Sequence, residues 1–221
     1  MSQDRNHGQA PNGYLAVPSA GSGPGVLVFH AWWGLNAFFP TVCDRLADAG
    51  FVAFAPDLYQ GRIATTIEEA EALRKQSDNA AMETAAMNAF AYLTSHSAVS
   101  SAPIATLGFS MGAGWAAEIA SQAPAKVAAT VLFYGAVDAD FAAARAAYQC
   151  HFAADDPWEP SEYTEQMQAA MRAAGRDVTC YTYPNVQHWF METDRPEYNA
   201  EAARLAWQRT IDFVKQHVTS K

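Results

Sequence analysis

Short apolar runs bounded by turn residues alternate along this chain with stretches of helical period, and that alternation limits the fold more than any other feature. A run buried on both faces needs helices above and below it, so repeated run-then-helix units specify a mostly parallel sheet flanked by helices, an α/β class. Gly25 to His30 reads as a buried strand, Phe39 to Ala49 as a helix stopped by Gly50, and Phe51 to Ala55 as the next strand, ended by Pro56. Thr65 to about Ser95 is a long helical stretch with room for a break. Pro103 to Gly108 is a strand entering a glycine-rich turn, followed by an alanine-rich helix from Ala113 to Ser121. Val127–Tyr134, Tyr148–Ala153 and Val178–Tyr183 complete the strands, with helices over Pro160–Ala174 and Glu197–His217. Residues 1–12 read as a flexible polar tail and 13–221 as a single domain, since 221 residues, half of them hydrophobic, suit one sizeable core.

Composition removes several function classes. The net charge of −9 comes from scattered acids, without a basic stripe to meet a phosphate backbone, so nucleic acid is not an expected partner. The polar start lacks the apolar run of a signal peptide, and nothing approaches the ~18 apolar residues of a membrane span. A cytoplasmic protein without a membrane partner is the expectation. Cys43, Cys150 and Cys180 are three in number and widely spaced, which fits buried small hydrophobes better than a metal site or a disulfide framework.

Gly108-Phe109-Ser110-Met111-Gly112 matches G-x-S-x-G where a strand must reverse into a helix. There a serine on a tight, strained turn projects its hydroxyl from the sheet edge, and small residues two before and two after let strand and helix approach. A rival reading uses overlapping residues, since Gly112 to Ala117 fits the dinucleotide fingerprint G-x-G-x-x-G/A. Ser110 and Met111 separate its first glycine from the strand, and no acid ends the next strand to hold a ribose, so this reading is set aside. A serine nucleophile needs a base within hydrogen-bond reach, and there are six histidines. His7 is in the tail, His96 and His217 lie near helix ends, and His151 is inside a strand. His188 instead follows the last strand, at the carboxyl edge where Ser110 emerges. The orienting acid should lie between serine and histidine in the chain. Asp155 and Asp156 follow one strand, Asp138 and Asp140 the strand before it, and Glu159 lies a little further down the first of these loops.

The blocks Phe29–Asn36, Ala55–Tyr59, Gly108–Gly112, His151–Pro160 and His188, with Trp207-Gln208-Arg209-Thr210 in the last helix, together resemble the dienelactone hydrolase family of α/β-hydrolases. The resemblance runs from about Tyr14 to His217. It implies the α/β-hydrolase fold, and it singles out Asp156, because the family's acid precedes a proline by four residues and Pro160 fits that spacing. It further implies an oxyanion hole from the backbone amides of Met111 and Trp32; losing one such donor costs about 2.7–4 kcal/mol of barrier in acyl-transfer enzymes. Two positions depart from the family's founding pattern, with Ser110 in place of the elbow cysteine and Ala31 in place of a glutamate beside the oxyanion loop. The two changes are consistent, since a serine with a conventional triad does not require that glutamate.

The expected function is therefore a carboxylic ester or lactone hydrolase acting through Ser110, His188 and Asp156 and an acyl-enzyme. Neither cofactor nor metal is implied, and the expected oligomeric state is monomer or homodimer. Carboxymethylenebutenolidase itself is the alternative enzyme, and a ligand-binding pseudoenzyme is the alternative from another class. Trp33, Phe38, Trp158, Trp189 and Phe190 are expected around Ser110 as an apolar substrate pocket, with ordinary core packing as the competing reading of each.

Overall fold

The computed structural model describes residues 10–100 and 103–218. Of the expected tail, residues 1–9 lie outside the described residues; Asn12 already accepts a backbone hydrogen bond from Asp57. Among the described residues seven strands form one sheet: β1 (Gly13–Ala16), β2 (Gly25–Phe29), β3 (Val52–Pro56), β4 (Ile104–Phe109), β5 (Val127–Phe133), β6 (Ala147–Ala153) and β7 (Val178–Tyr183). Their order is β1-β3-β2-β4-β5-β6-β7. All neighbours are parallel except β1, which runs antiparallel to β3. This is the mostly parallel sheet expected, extended by an edge strand that the apolar runs do not announce. Residues of β2, β3, β4 and β6 are buried throughout, as strands covered on both faces must be.

The described residues form six helices that cover the sheet: α1 (Phe38–Asp48), α2 (Ile67–Gln76), α3 (Asn79–Ser95), α4 (Met111–Gln122), α5 (Ser161–Ala173) and α6 (Ala200–Val218). The guanidinium of Arg45 on α1 lies 4.0 Å over the Trp207 ring on α6, placing those helices on one face. On the other, Gln122 of α4 reaches Glu83 of α3 at 3.3 Å. The helical stretch from Thr65 to Ser95 does break. Thr66 and Glu69 form a reciprocal capping box opening α2, and Asp78 caps α3 by accepting from the Ala80 amide. Ser77 and Asp78 between them take extended backbone. Cys43 and Cys150 are buried as expected, whereas Cys180, in register with Cys150, is half-buried on edge strand β7. Among the described residues no helix is long and apolar enough to cross a membrane.

The chain leaves β2 for β3 on one side and later returns to lay β4 on the other. The strand order thus reverses between β2 and β4, and the crevice beyond their carboxyl ends is where open α/β sheets hold their sites.

Candidate active site

Ser110 sits immediately after β4 with φ 51° and ψ −118°, a conformation that side chains other than glycine rarely adopt. Its amide donates to the Phe133 carbonyl at 2.9 Å and its carbonyl accepts from Ala113 at 2.8 Å, so the turn is fixed from both sides. The two flanking glycines make this geometry possible. A Cβ on Gly108 would lie 2.2 Å from the Gly112 carbonyl oxygen, and one on Gly112 would lie 2.3 Å from that of Phe29. Helix and strand therefore meet at backbone distance, as the motif requires. Gly112 is thus spent on the close packing of α4 against β2.

His188 lies in the turn after β7, followed by Trp189 with φ 64°. Its Nε2 is 2.9 Å from the Ser110 hydroxyl oxygen and its Nδ1 is 2.8 Å from Asp156 Oδ2. The side chains of His188 and Asp156 are each 3% exposed. Asp156 Oδ1 accepts the amides of Trp158 at 2.9 Å and Glu159 at 3.1 Å, which holds the carboxylate in place. An ionised Asp156 accepts from Nδ1–H, and this tautomer leaves Nε2 free to accept the serine proton. The neighbouring acids are placed otherwise. Asp155 is exposed on the same loop, and Asp140 accepts from the Ala143 amide at 3.0 Å. Burial pushes the Glu159 carboxyl up to about 7.

Met111 is the first residue of α4, so its amide belongs to the turn that finds no acceptor within the helix, beside Ser110. Trp32 follows β2, the strand paired with β4. The aromatic residues expected around the serine separate into two groups. Trp158 is 40% exposed, its ring 5.1 Å from Trp32, 5.5 Å from Trp189 and 6.5 Å from His188. These three indoles make a wall beside the imidazole. Trp33 lies beneath it, against Trp189 at 5.0 Å and under the Arg195 guanidinium at 3.8 Å. Phe38 and Phe190 are buried, Phe38 edge-on to Phe109 and Phe190 edge-on to Tyr134. His151 is the buried strand histidine expected, bonded to Tyr183 and Gln149, with burial pushing its pKa down to about 3.

Sequence reading passed over two residues at the site. Tyr134 directly follows β5, at φ 38°, with its ring 4.9 Å from the imidazole of His188, and its hydroxyl donates to Glu192 Oε1 at 2.9 Å. Glu192 is fully buried. The signal available was an acid directly after the apolar run Trp189-Phe190-Met191, four residues after His188. Among the described residues no group of three or more His, Cys, Asp or Glu side chains is gathered to hold a metal ion.

Comparison with known proteins agrees with this architecture. The model of the dienelactone hydrolase family matches residues 12–218. The protein usf of Aquifex pyrophilus is 30% identical over 231 residues, covering 99% of both chains. A protein of Aquifex aeolicus (strain VF5), provisionally named carboxymethylenebutenolidase, is 30% identical over 236 residues, covering 99% of this chain and 98% of its own. Among solved structures, a dienelactone hydrolase-like promiscuous phosphotriesterase from metagenomic libraries superposes with a TM-score of 0.81 at 24% identity, over 92% of this chain and 91% of the other. A dienelactone hydrolase from Anabaena variabilis superposes at 0.69 with 17% identity, over 95% and 100%. With the fold, the sheet order and a family match spanning nearly every described residue in agreement, the chain belongs to the dienelactone hydrolase family.

Proposed function

We propose that this protein is a serine hydrolase of carboxylic esters or lactones. The observation that carries the reading is the unbroken chain of hydrogen bonds from Asp156 through His188 to Ser110, at 2.8 and 2.9 Å, on a strained turn beside a helix N-terminus. In this reading His188 Nε2 takes the hydroxyl proton as Ser110 Oγ attacks the carbonyl carbon. The amides of Met111 and Trp32 hold the oxyanion of the tetrahedral intermediate. His188 then gives its proton to the leaving alkoxide, which departs as an alcohol, or stays tethered when the substrate is a lactone. Water, deprotonated by the same histidine, attacks the acyl-enzyme and releases the acid. Asp156 holds the tautomer and stabilises the imidazolium. Neither a metal nor an organic cofactor enters these steps. The wall of Trp32, Trp158 and Trp189 beside the base suits an apolar part of a small-molecule substrate.

The test combines a fluorophosphonate probe with p-nitrophenyl esters of rising chain length and a dienelactone, the last because the Aquifex aeolicus relative carries that activity in its name. Wild type should label on Ser110 and turn over at least one substrate. Ser110→Ala should not label, and its kcat should fall by about 10⁶ while thermal unfolding is retained. Turnover by Ser110→Ala at the wild-type rate removes the serine from the mechanism. A folded wild type that neither labels nor hydrolyses any member favours the ligand-binding reading.

A further inference from the structure

We propose that Tyr134 and Glu192 form a positioning clamp that fixes the turn carrying His188 at hydrogen-bonding distance from Ser110. The inference deepens the proposed reading of the triad and rests on it. Asp156 and Ser110 each bond one ring nitrogen of His188, at 2.8 and 2.9 Å, but neither bond fixes the tilt of the ring about the line between them. Two further restraints come from elsewhere. The Tyr134 ring packs against the imidazole at 4.9 Å, tilted by 56°, and Trp189 closes another side edge-on at 4.8 Å. Tyr134 is in turn anchored at both ends. Its amide donates to the His151 carbonyl at 2.7 Å and its hydroxyl donates to Glu192 Oε1 at 2.9 Å.

The clamp acts at this distance because of its connectivity. Glu192 lies four residues after His188, and its amide donates to the Trp189 carbonyl at 2.9 Å, closing a four-residue turn, Trp189 to Glu192, directly after the base. The residue before Tyr134 is Phe133, whose carbonyl accepts the Ser110 amide at 2.9 Å. The Tyr134–Glu192 bond therefore ties the turn that carries the base to the strand end that holds the backbone of the nucleophile. The Ser110–His188 distance is the gap this tie spans.

A carboxyl in this place is expensive unless it is used. Glu192 is fully buried, its Oε2 finds no partner among the described residues, and removal from water raises its pKa to about 8 despite the Tyr134 bond and Arg195. The charged and titratable groups facing the pair are Asp194, Arg195 and Glu197 from the loop of Glu192, the His188 imidazole against the Tyr134 ring, and Asp156, which acts on Tyr134. Near pH 7 Glu192 keeps its proton and serves Tyr134 as a neutral acceptor. Glutamine reproduces that acceptor and alanine does not.

The test follows the low-field proton resonance of His188 Nδ1–H, which reports how firmly the ring is held and needs no substrate. It is measured in wild type, Glu192→Gln, Glu192→Ala and Tyr134→Phe, the last removing a single oxygen so that the fold is kept. Wild type and Glu192→Gln should show the resonance sharp, and Glu192→Ala and Tyr134→Phe should show it broadened. With the best ester of the panel, the latter two should lose about tenfold in kcat with KM within twofold, and Glu192→Gln should recover at least a third of wild-type kcat. Equal line widths in all four proteins, or a Glu192→Gln as impaired as Glu192→Ala, overturn the clamp. If the esterase reading alone is wrong, turnover is absent from wild type while the ordering of line widths stands.

Discussion

Ser110 is held in a backbone conformation at φ 51° that its neighbours, rather than its own preference, enforce. Motif and position made Ser110 and His188 legible in the sequence, because each stands directly after a strand at the carboxyl edge. Which carboxylate would meet His188 was not legible from the residues alone. Asp155 and Asp156 share one loop, and only the family spacing to Pro160 separated them before the 2.8 Å contact with His188 did. Asp156→Asn should lower kcat by about 10⁴ by presenting the wrong imidazole tautomer, while Asp155→Asn stays close to wild type, as steady-state kinetics on one ester will show. The Tyr134–Glu192 bond joins residues 58 apart, and no local pattern encodes such a pairing. Its stability consequence has a definite sign. The Glu192 carboxyl is raised from 4.5 to about 8 in the folded protein, so between those values the folded state holds a proton that the unfolded chain has lost. That contribution to stability is complete below about pH 4.5 and is lost as pH rises toward 8, at up to about 1.4 kcal/mol per pH unit. Glu192→Gln has no such slope. Urea unfolding at pH 5, 6, 7 and 8 should show the variant gaining on wild type at each step, and parallel curves would show that Glu192 is not buried as a neutral acid.

At the scale of elements, apolar runs located β2 to β7 to within a residue or two, since strands buried on both faces have little compositional freedom. The strand β1 was missed because it is four residues long, partly exposed, and paired antiparallel at the edge. Helix starts were displaced where the cap was not recognised. The last helix begins at Ala200, not Glu197, because Asn199 accepts from the Ala202 amide at 3.0 Å, and α4 begins at Met111 because the strained Ser110 itself stands at its N-cap. Two glycines of α4 show how differently one helix treats the same residue type. Gly112 faces β2, where a Cβ would strike the carbonyl oxygens of Phe29 at 2.3 Å and His30 at 2.6 Å. Backbone cannot yield as a side chain can, so Gly112→Ala should cost at least about 3 kcal/mol, the upper end for overpacking. A Cβ on Gly114 meets nothing within 4 Å, and there alanine should stabilise by about 0.5–1 kcal/mol through its better helix propensity. Urea midpoints of the two variants should fall on opposite sides of wild type. Shifts of the same sign would mean that α4 is not seated on β2 at the observed distance.

For the whole molecule, the alternation of runs and helices specified the layers, while the switch of strand order between β2 and β4 fixed where the site lies. The charge distribution adds a constraint on substrates that neither layer order nor motif contains. The chain carries a net charge of −9, which repels anions approaching from solution. Opposing that field locally, Arg74 and Arg62 act on Tyr59, whose hydroxyl is nevertheless pushed up to about 12 by burial and bonds to Met111 Sδ beside Ser110. Salt distinguishes the two influences. The screening length falls from about 30 Å at 0.01 M to about 8 Å at 0.15 M, so the field of the whole protein is largely removed over that range while contacts at the site are weakened less. If the net charge governs approach, kcat/KM for an ester carrying a carboxylate should rise by about threefold across the range, with a neutral ester of the same leaving group unchanged. If the two arginines govern it, the anionic ester should instead lose activity as salt increases, and Arg74→Gln should remove that loss. A fall of this kind would place anionic lactones among the preferred substrates, whereas a rise would point to neutral esters.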